Sequence, residues 1–165
     1  MNGLTRTRRR SATPHRATRR AGWLAAGLMV ATATMAPAAS AASVTPVFLG
    51  EDYGNNPTCL DLDGPFGGGQ TWAELVKIDG MPSNGVYGSI TIYGVSGQTF
   101  SWTSTVGVDA VLVKAGSENH SLYVYASSAA SAESFGDTNL THGPNQQGTS
   151  HVTFCYDTAN PSPTP

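Results

Sequence analysis

The sequence predicts an all-β protein, a single-domain antiparallel β-sandwich of jelly-roll-like type that is closed by one disulfide. Three observations favour this class. Short runs of β-branched and aromatic residues alternate with polar residues, and clusters of glycine, asparagine and serine separate the runs. No window shows the apolar periodicity of an amphipathic helix of ten or more residues. Seven or so short strands with such turns are typical of a sandwich.

The first two strand candidates carry the weakest signals. Residues 44–49 (VTPVFL) contain a proline, which predicts a position at a sheet edge. Residues 73–78 (AELVKI) are the second candidate. Between them, D-L-D-G at 61–64 is predicted to be a surface turn, and P-F-G-G-G-Q at 65–70 a flexible loop.

The central part of the chain predicts a hairpin. Residues 89–93 (SITIY) alternate with Ile90 and Ile92 on one face, and residues 98–104 (QTFSWTS) place their two aromatic rings on one face. The glycine-bounded stretch 94–97 (GVSG) between them is the expected turn.

Three further strands complete the predicted sheets. Residues 108–114 (VDAVLVK) are apolar on both faces, as in a covered central strand, and are expected to pair with residues 121–126 (SLYVYA). Residues 151–156 (HVTFCY) form the last strand. We expect residues 126–135 to be a loop or one short turn, and residues 137–148 to be a long flexible loop.

Residues 1–41 have the order of a secretory signal peptide. Seven arginines precede an apolar run at 21–35, and Ala39 and Ala41 match the small residues expected before cleavage. The run is too short for a stable membrane anchor. We therefore predict a leader at 1–41, a secreted domain at 42–159 and a proline-rich tail at 160–165. The leader fits general export or a loose twin-arginine signal.

Removal of the leader leaves a strongly acidic chain. Every arginine lies in the leader, so two lysines, Lys77 and Lys114, remain against 11 acidic residues, which gives a net charge of −9. Nucleic-acid binding requires a basic surface, and the predicted domain has none. Attraction to anionic lipid is disfavoured for the same reason. We expect an exported, extracellular protein without a membrane anchor.

The two cysteines, Cys59 and Cys155, are predicted to form the disulfide. An even number of cysteines in a chain addressed to an oxidising compartment favours pairing, and two cysteines allow a single connectivity. Such a bridge closes a loop of roughly 100 residues, which is worth about 4–5 kcal/mol in the chain-entropy model.

The motifs F-x-W-x-S (Phe100–Ser104), G-V-D-A-V-x-V-K-x-G (Gly107–Gly116) and S-H-x-x-F-C-Y (Ser150–Tyr156), with an early N-P-T-C (Asn56–Cys59), carry a family resemblance. The chain resembles a domain of secreted and wall-associated bacterial proteins of actinobacterial type. The resemblance implies an extracellular location and β-structure. It implies no reaction, and because relatives often carry a surface anchor after a Pro/Thr linker, it leaves wall association open.

His151 and Cys155 raise the question of a catalytic dyad or a metal site. On one strand, residues i and i+4 share a face but are separated by about 13 Å, which exceeds hydrogen-bonding reach. We therefore expect the cysteine in the disulfide and His151 to be a half-buried residue, with ligand binding as the alternative.

Asp109 is an acid within an apolar strand, and a buried carboxylate requires hydrogen bonds or a positive partner. Backbone amides, hydroxyls, His151 or the two lysines could serve. Asp109, His151 and Lys114 are therefore the candidate polar core or ligand site. An Asp109–His151 pair acting on Ser104 or Ser150 would make a hydrolase, but the chain has no G-x-S-x-G nucleophile context.

No cofactor is expected, and no metal site. The D-L-D-G stretch lacks the later ligands of a calcium loop, and the histidines lack zinc-ligand spacing. Aromatic residues could form a carbohydrate-stacking face, although alternating aromatics usually fill a core; they include Trp72, Tyr87, Tyr93, Tyr123 and Tyr125.

The sequence thus favours a non-catalytic secreted module of the bacterial envelope or extracellular space with a binding or structural role. Its partner would be an extracellular protein or glycan. The alternatives are the small hydrolase and a carbohydrate- or calcium-binding module.

Overall fold

The computed structural model of the protein describes residues 43–116, 119–128, 131–142 and 147–159. The predicted leader at 1–41 and the predicted tail at 160–165 lie outside these ranges. The described elements are, in chain order, β1 (Val47–Leu49), a 3-10 turn (Glu51–Tyr53), α1 (Cys59–Phe66), β2 (Trp72–Asp79), β3 (Gly85–Tyr87), β4 (Ile90–Ser96), β5 (Thr99–Val108), β6 (Ala110–Ala115), β7 (Asn119–Val124), β8 (Ser134–Thr141) and β9 (Thr149–Asp157).

The strands form two sheets. The five-stranded sheet has the order β1–β7–β6–β9–β2, and the four-stranded sheet has the order β3–β4–β5–β8. Every pairing is antiparallel. The predicted all-β sandwich is confirmed, and β1 lies at a sheet edge, as its proline predicted.

The main core lies between the sheets and is built by alternation along each strand. Ile90 and Ile92 from β4 are fully buried, as the alternating pattern predicted. Trp102 packs edge-on against Phe154 of the other sheet, with ring centroids 5.3 Å apart. Because such T-shaped pairs are preferred over face-to-face stacking, this contact fixes how the two sheets meet.

A second apolar layer covers part of the outer face of the five-stranded sheet, which is the face turned away from the four-stranded sheet. Helix α1 packs there, with Cys59 and Leu62 buried against Leu112 and Leu122. The predicted disulfide is confirmed: Cys59 and Cys155 are bonded, with Cα atoms 5.7 Å apart. It attaches the first residue of α1 to β9.

The predicted surface turn at 61–64 was wrong, because these residues lie within α1. The Thr58 hydroxyl caps the helix by accepting a hydrogen bond from the Asp61 amide, and the Asp61 carboxylate accepts one from the Thr58 amide. This capping box starts the helix, and the burial of Leu62 holds it against the sheet. Eight residues are too few for a clear apolar period, so the pattern gave no helix signal.

The covered central strand predicted at 108–114 is confirmed as β6, which is buried throughout, lies in the middle of the five-stranded sheet and pairs with β7, but it begins only at Ala110. Val108 ends β5 in one sheet and Ala110 begins β6 in the other, so the chain changes sheets at Asp109. The run is apolar throughout because Val108 faces the core between the sheets, whereas residues of β6 contribute to both apolar layers. The apolar run therefore includes a sheet change at Asp109 as well as the covered strand.

The loops predicted at 126–135 and 137–148 contain a strand that the pattern missed. Strand β8 pairs with β5, where Phe100 lies opposite Leu140 and Trp102 opposite Asp137. Its apolar signal is sparse, because Leu140 is fully buried but another buried position holds the polar Asp137. The Tyr125 hydroxyl donates a hydrogen bond of 2.8 Å to the Asp137 carboxylate, which compensates for its burial. The short β3 was missed for the same lack of signal.

The predicted hairpin is confirmed, with a tighter turn. β4 runs through Ser96, which lies opposite Thr99, so Gly97 and Gln98 make the turn and not the stretch 94–97. Gly97 has φ of 57°, the left-handed conformation that a two-residue hairpin turn requires.

Candidate functional site

Asp109 lies at the corner between the two sheets and is completely buried. Its Oδ1 accepts a hydrogen bond from Gln70 Nε2 at 3.1 Å, and its Oδ2 accepts one from the Asp157 amide at 2.5 Å. The Trp72 indole donates to Gln70 Oε1 at 3.0 Å, which fixes the side-chain nitrogen of Gln70 as the donor to Asp109. Both carboxylate oxygens of Asp109 are therefore acceptors.

The backbone of Asp109 also ties the corner together. Its amide donates to the Cys155 carbonyl at 2.9 Å, and its carbonyl accepts from Tyr125 at 2.7 Å and Ala126 at 3.1 Å. Asp109 thus connects β9 with the segment that follows β7. A residue with these contacts holds the corner in place.

Burial raises the pKa of the Asp109 carboxyl to about 6. The bond from the Asp157 amide opposes this rise. The nearby Glu133 and Asp157 carboxylates raise the pKa further, and the hydrogen bond from Gln70 lowers it. The carboxyl group therefore changes charge within the acidic range, inside an apolar corner.

The structure does not bring Asp109 and His151 together. In the β6–β9 pairing, Ala110 lies opposite Cys155 and Lys114 lies opposite His151. Asp109 precedes Ala110, so it lies at the opposite end of this pairing from His151, more than about 13 Å along the strands.

The serines of the hydrolase alternative have other contacts. The Ser104 hydroxyl, on the four-stranded sheet, accepts from the Val106 amide at 3.0 Å. The Ser150 hydroxyl donates to the Lys114 carbonyl at 3.3 Å. A nucleophile, its base and an orienting acid must lie within hydrogen-bonding reach of one another, and these groups do not form that chain.

His151 and Lys114 instead belong to a row of polar residues that crosses four strands. Asp79 of β2 lies opposite His151 of β9, His151 lies opposite Lys114 of β6, and Lys114 lies opposite His120 of β7. Directly opposed residues point to the same face of a sheet. We call Asp79, His151, Lys114 and His120, together with the flanking Lys77, the polar row.

The polar row lies on the outer face of the five-stranded sheet, beside the layer formed by α1. Leu112 and Leu122, two positions from Lys114 and His120 on the same strands, pack in that outer layer. Since side chains alternate with period two, Lys114 and His120 point to the same side. The outer face is thus divided into an apolar part under α1 and the polar row.

Burial increases along the row from the sheet edge inward. Lys77 and Asp79 on the edge strand β2 are exposed. His151 and Lys114 are 6% and 8% exposed, and His120 is 1% exposed. The row is therefore open at β2 and closed at β7.

His120 closes the inner end with one ring nitrogen unsatisfied. Its Nε2 lies 3.2 Å from the Gly54 carbonyl oxygen. A carbonyl can only accept, so Nε2 carries the proton and, in the neutral ring, Nδ1 is an acceptor. That Nδ1 is buried and has no hydrogen-bond partner among the described residues.

The Lys114 side chain is also largely buried, but its ammonium is not among the fully buried polar atoms that lack a partner. Within the described ranges, no carboxylate forms an ion pair with it, although nine-tenths of the residue is removed from solvent. Buried ammonium groups are normally paired, because desolvation of an isolated charge is unfavourable.

His151 is held neutral at physiological pH. Burial, together with the positive charges of Lys77 and Lys114, lowers the pKa of its ring to about 4. Asp79 opposes the shift, and His120 adds to it. At neutral pH the row therefore presents two ammonium groups beside a neutral imidazole, with one carboxylate at its exposed end.

Sequence reasoning found His151 and Lys114 but missed Asp79 and His120 as their neighbours. The spacing of Lys77 and Asp79 on β2 signals a shared face. The residue pattern of the sequence does not show that β2, β9, β6 and β7 are neighbours in one sheet. The polar row became visible only from the strand order of the structure.

The metal and carbohydrate alternatives have no assembled centre in the described part of the chain. There, no group of three or more His, Cys, Asp or Glu side chains could hold a metal ion. Of the five aromatic residues considered for stacking on sugars, Tyr93 is exposed and Trp72 and Tyr123 are buried. Among the described helices, none has the length and apolar character needed to cross a membrane.

Comparison with protein-family models, with curated proteins and with solved structures gave no match to this chain.

Proposed function

We propose that this chain is a secreted, non-catalytic β-sandwich module that binds an extracellular ligand, a protein or a glycan, at the polar row. The observation that supports the proposal is a set of buried polar side chains with binding capacity left over. His120 Nδ1 is buried and has no hydrogen-bond partner among the described residues. Lys114 beside it is 8% exposed, and no ion pair to it is found among those residues. A buried acceptor without a hydrogen bond is unfavourable, so a ligand that donates to His120 Nδ1 would stabilise it.

The non-catalytic character is supported by what Asp109 does. Both of its oxygens accept hydrogen bonds within the corner, and His151 lies at the other end of the β6–β9 pairing. Asp109 therefore serves as an anchor for the fold and does not orient His151 as the acid of a hydrolase would.

Export is supported by the arginine-rich leader and by the disulfide. Disulfides persist in oxidising compartments and are rare elsewhere, and Cys59 and Cys155 are joined in this fold. The resemblance to secreted and wall-associated bacterial domains agrees with release into the extracellular space or the envelope.

A binding screen tests this function. The protein, expressed from its full reading frame, is applied to arrays of glycans and extracellular matrix proteins, beside the Lys114→Gln variant. Thr91→Glu is the matched control, because it changes the net charge by the same amount on the exposed side of the four-stranded sheet. The proposal expects a ligand that Lys114→Gln loses and Thr91→Glu keeps.

Two results would count against the proposal. One is a ligand that binds equally well to all three proteins, since binding would then take place away from the row. The other is hydrolysis of a test ester or amide that His151→Gln abolishes, since the module would then be an enzyme.

A further inference from the structure

We propose that the polar row recognises an oxyanion, such as a sulfate, phosphate or carboxylate group, which binds between the ammonium groups of Lys77 and Lys114 beside the His151 ring. This inference rests on the proposed function, because it names the chemical class of the group that the row binds. It concerns the recognised group alone, whichever molecule carries that group.

The first argument is the distribution of positive charge. Outside residues 1–41 the chain has two lysines and no arginine. Both lysines lie on the outer face of the five-stranded sheet, Lys77 on β2 and Lys114 on β6, with β9 between them. On β9, Thr153 lies opposite Lys77, and His151, two residues away, lies opposite Lys114. An otherwise acidic domain thus gathers its lysines on a single face, which a random surface distribution would not favour.

The second argument is that, among the described residues, this charge has no carboxylate paired with it in an ion pair. Asp79 is the acidic residue of the row, and it lies at the exposed edge, two strands from Lys114. Neighbouring strands are about 4.8 Å apart, so the backbones of Asp79 and Lys114 are separated by about 10 Å. An anion entering from the open β2 side would supply the missing partner for Lys114.

The third argument is hydrogen-bonding chemistry. A lysine ammonium has three donors and no acceptor, so Lys77 and Lys114 call for an acceptor-rich group. An oxyanion meets that demand, and hydrogen bonds between ionised groups are stronger than neutral ones. A neutral sugar hydroxyl would satisfy the ammonium groups without compensating their charge.

The overall negative charge of the domain does not prevent this binding. At an ionic strength of about 0.1 M the screening length is about 10 Å. The acidic corner of Asp109 and Asp157 lies at the far end of the β6–β9 pairing from the row, at about that distance or more. Salt therefore screens the charge of this corner from the row.

Oxyanion binding also couples to protonation of His151. The charged and titratable groups that face its ring are Lys77 and Asp79 from β2, Lys114 from β6 and His120 from β7. The two ammonium groups repel a proton on the ring, and a bound anion offsets that repulsion. Binding should therefore strengthen as the pH falls, while the anion keeps its charge.

An NMR titration tests the inference. The isotope-labelled protein, expressed from its full reading frame, is titrated with sodium sulfate, phosphate and acetate at constant ionic strength set with sodium chloride. We expect saturable amide shifts centred on Lys77, Lys114 and His151 with at least one of the three. Sulfate binding should be tighter at about pH 5 than at about pH 7.

Variants locate the binding. Lys114→Gln should weaken it by about tenfold or more, and Thr91→Glu should leave it within about twofold of wild type. If Lys114→Gln does not fold, Lys77→Gln replaces it, because Lys77 is exposed on an edge strand and its loss should leave the core intact. Lys77→Gln is likewise expected to weaken binding by several fold.

Absence of saturable shifts with all three anions would overturn the inference, as would binding that neither lysine variant weakens. The proposed function fails separately. Suppose that the screen finds a neutral ligand that wild type binds and Lys114→Gln does not, and that wild type shows no response to sulfate. The proposed binding function would then stand, and the oxyanion inference would be wrong.

Discussion

At the scale of single residues, burial gives Asp109 and His151 opposite electrostatic roles. Burial favours the neutral form of each group, so it raises the pKa of the Asp109 carboxyl and lowers that of the His151 ring. Asp109 compensates with hydrogen bonds to both oxygens, whereas His151 is left beside two lysines. The first residue holds the fold, and the second is available for binding.

Asp109 should make the fold more stable in acid. Its folded pKa of about 6 lies above the ordinary value of 3.8, so between these values the folded chain holds a proton that the unfolded chain has released. Stability from this group is therefore present below pH 3.8 and is lost as the pH rises through 6. From about pH 4 to about pH 7, wild type should lose about 2 kcal/mol relative to Asp109→Asn, after allowance for solvent screening.

Urea unfolding across this range measures the difference, with Asp52→Asn as the control because Asp52 is exposed. A constant difference between wild type and Asp109→Asn at every pH would show that the Asp109 pKa is not raised.

His151 should act in the opposite direction. The pKa of its ring in the folded protein, about 4, lies below the ordinary value of 6.5. Between these two values the ring is protonated in the unfolded chain and neutral in the folded chain. Stability from this group is present above pH 6.5 and is lost as the pH falls towards 4. Relative to His151→Gln, wild type should therefore lose free energy of unfolding on acidification, as measured by the same urea series. A gain on acidification would contradict the assignment.

At the scale of the elements, α1 depends on its attachments. Its eight residues are too few for a stable isolated helix, so the capping box, the burial of Leu62 and the Cys59–Cys155 bond hold it on the sheet. Gly68, two residues after the end of α1, lies close to the backbone of Ser127. A Cβ on Gly68 would collide with the Ser127 carbonyl oxygen.

Removing the disulfide should be costly. The bonded cysteines are 96 residues apart, and in the chain-entropy model replacement of both by alanine should lower the free energy of unfolding by about 4–5 kcal/mol. Urea unfolding of the double variant measures this, and reduction of wild type should produce a similar loss. A loss below about 1 kcal/mol would mean that α1 and β9 hold together without the bond.

Gly68→Ala should be more harmful than Gly97→Ala. Both glycines have left-handed backbones, with φ of 59° and 57°, so the conformational strain is matched. A Cβ at Gly97 meets nothing within 4 Å, whereas at Gly68 it meets backbone that cannot rotate away. We expect Gly68→Ala to be the more destabilising by about 1–3 kcal/mol. Equal thermal stabilities would show that the contact with Ser127 gives way.

The sequence predicted the elements whose signals are local. The β4–β5 hairpin was found because its alternation and its glycines lie within 16 residues, and the disulfide was found because two cysteines allow one pairing. Strand β8 escaped because Asp137 occupies a core-facing place through a hydrogen bond to Tyr125. The polar row escaped because its members lie on four strands, and their assembly depends on strand order.

At the scale of the whole molecule, the two polar groupings lie at opposite ends of the five-stranded sheet. The corner of Asp109, Gln70 and Asp157 joins the two sheets and is satisfied within the protein, apart from Asp157 Oδ2. The polar row faces away from the second sheet and is open at the edge strand β2. In the proposed function, a structural end and a binding end are separated within one module.

The pKa of the His151 ring, followed by NMR with and without sulfate at constant ionic strength, tests this account most directly. The resonance is assigned by its loss in His151→Gln. We predict a pKa near 4 in the free protein and a rise of about one unit or more when sulfate saturates the row, with no such rise in Lys114→Gln. An unchanged pKa at saturating sulfate, or an equal rise in Lys114→Gln, would contradict the assignment of the polar row as the binding site.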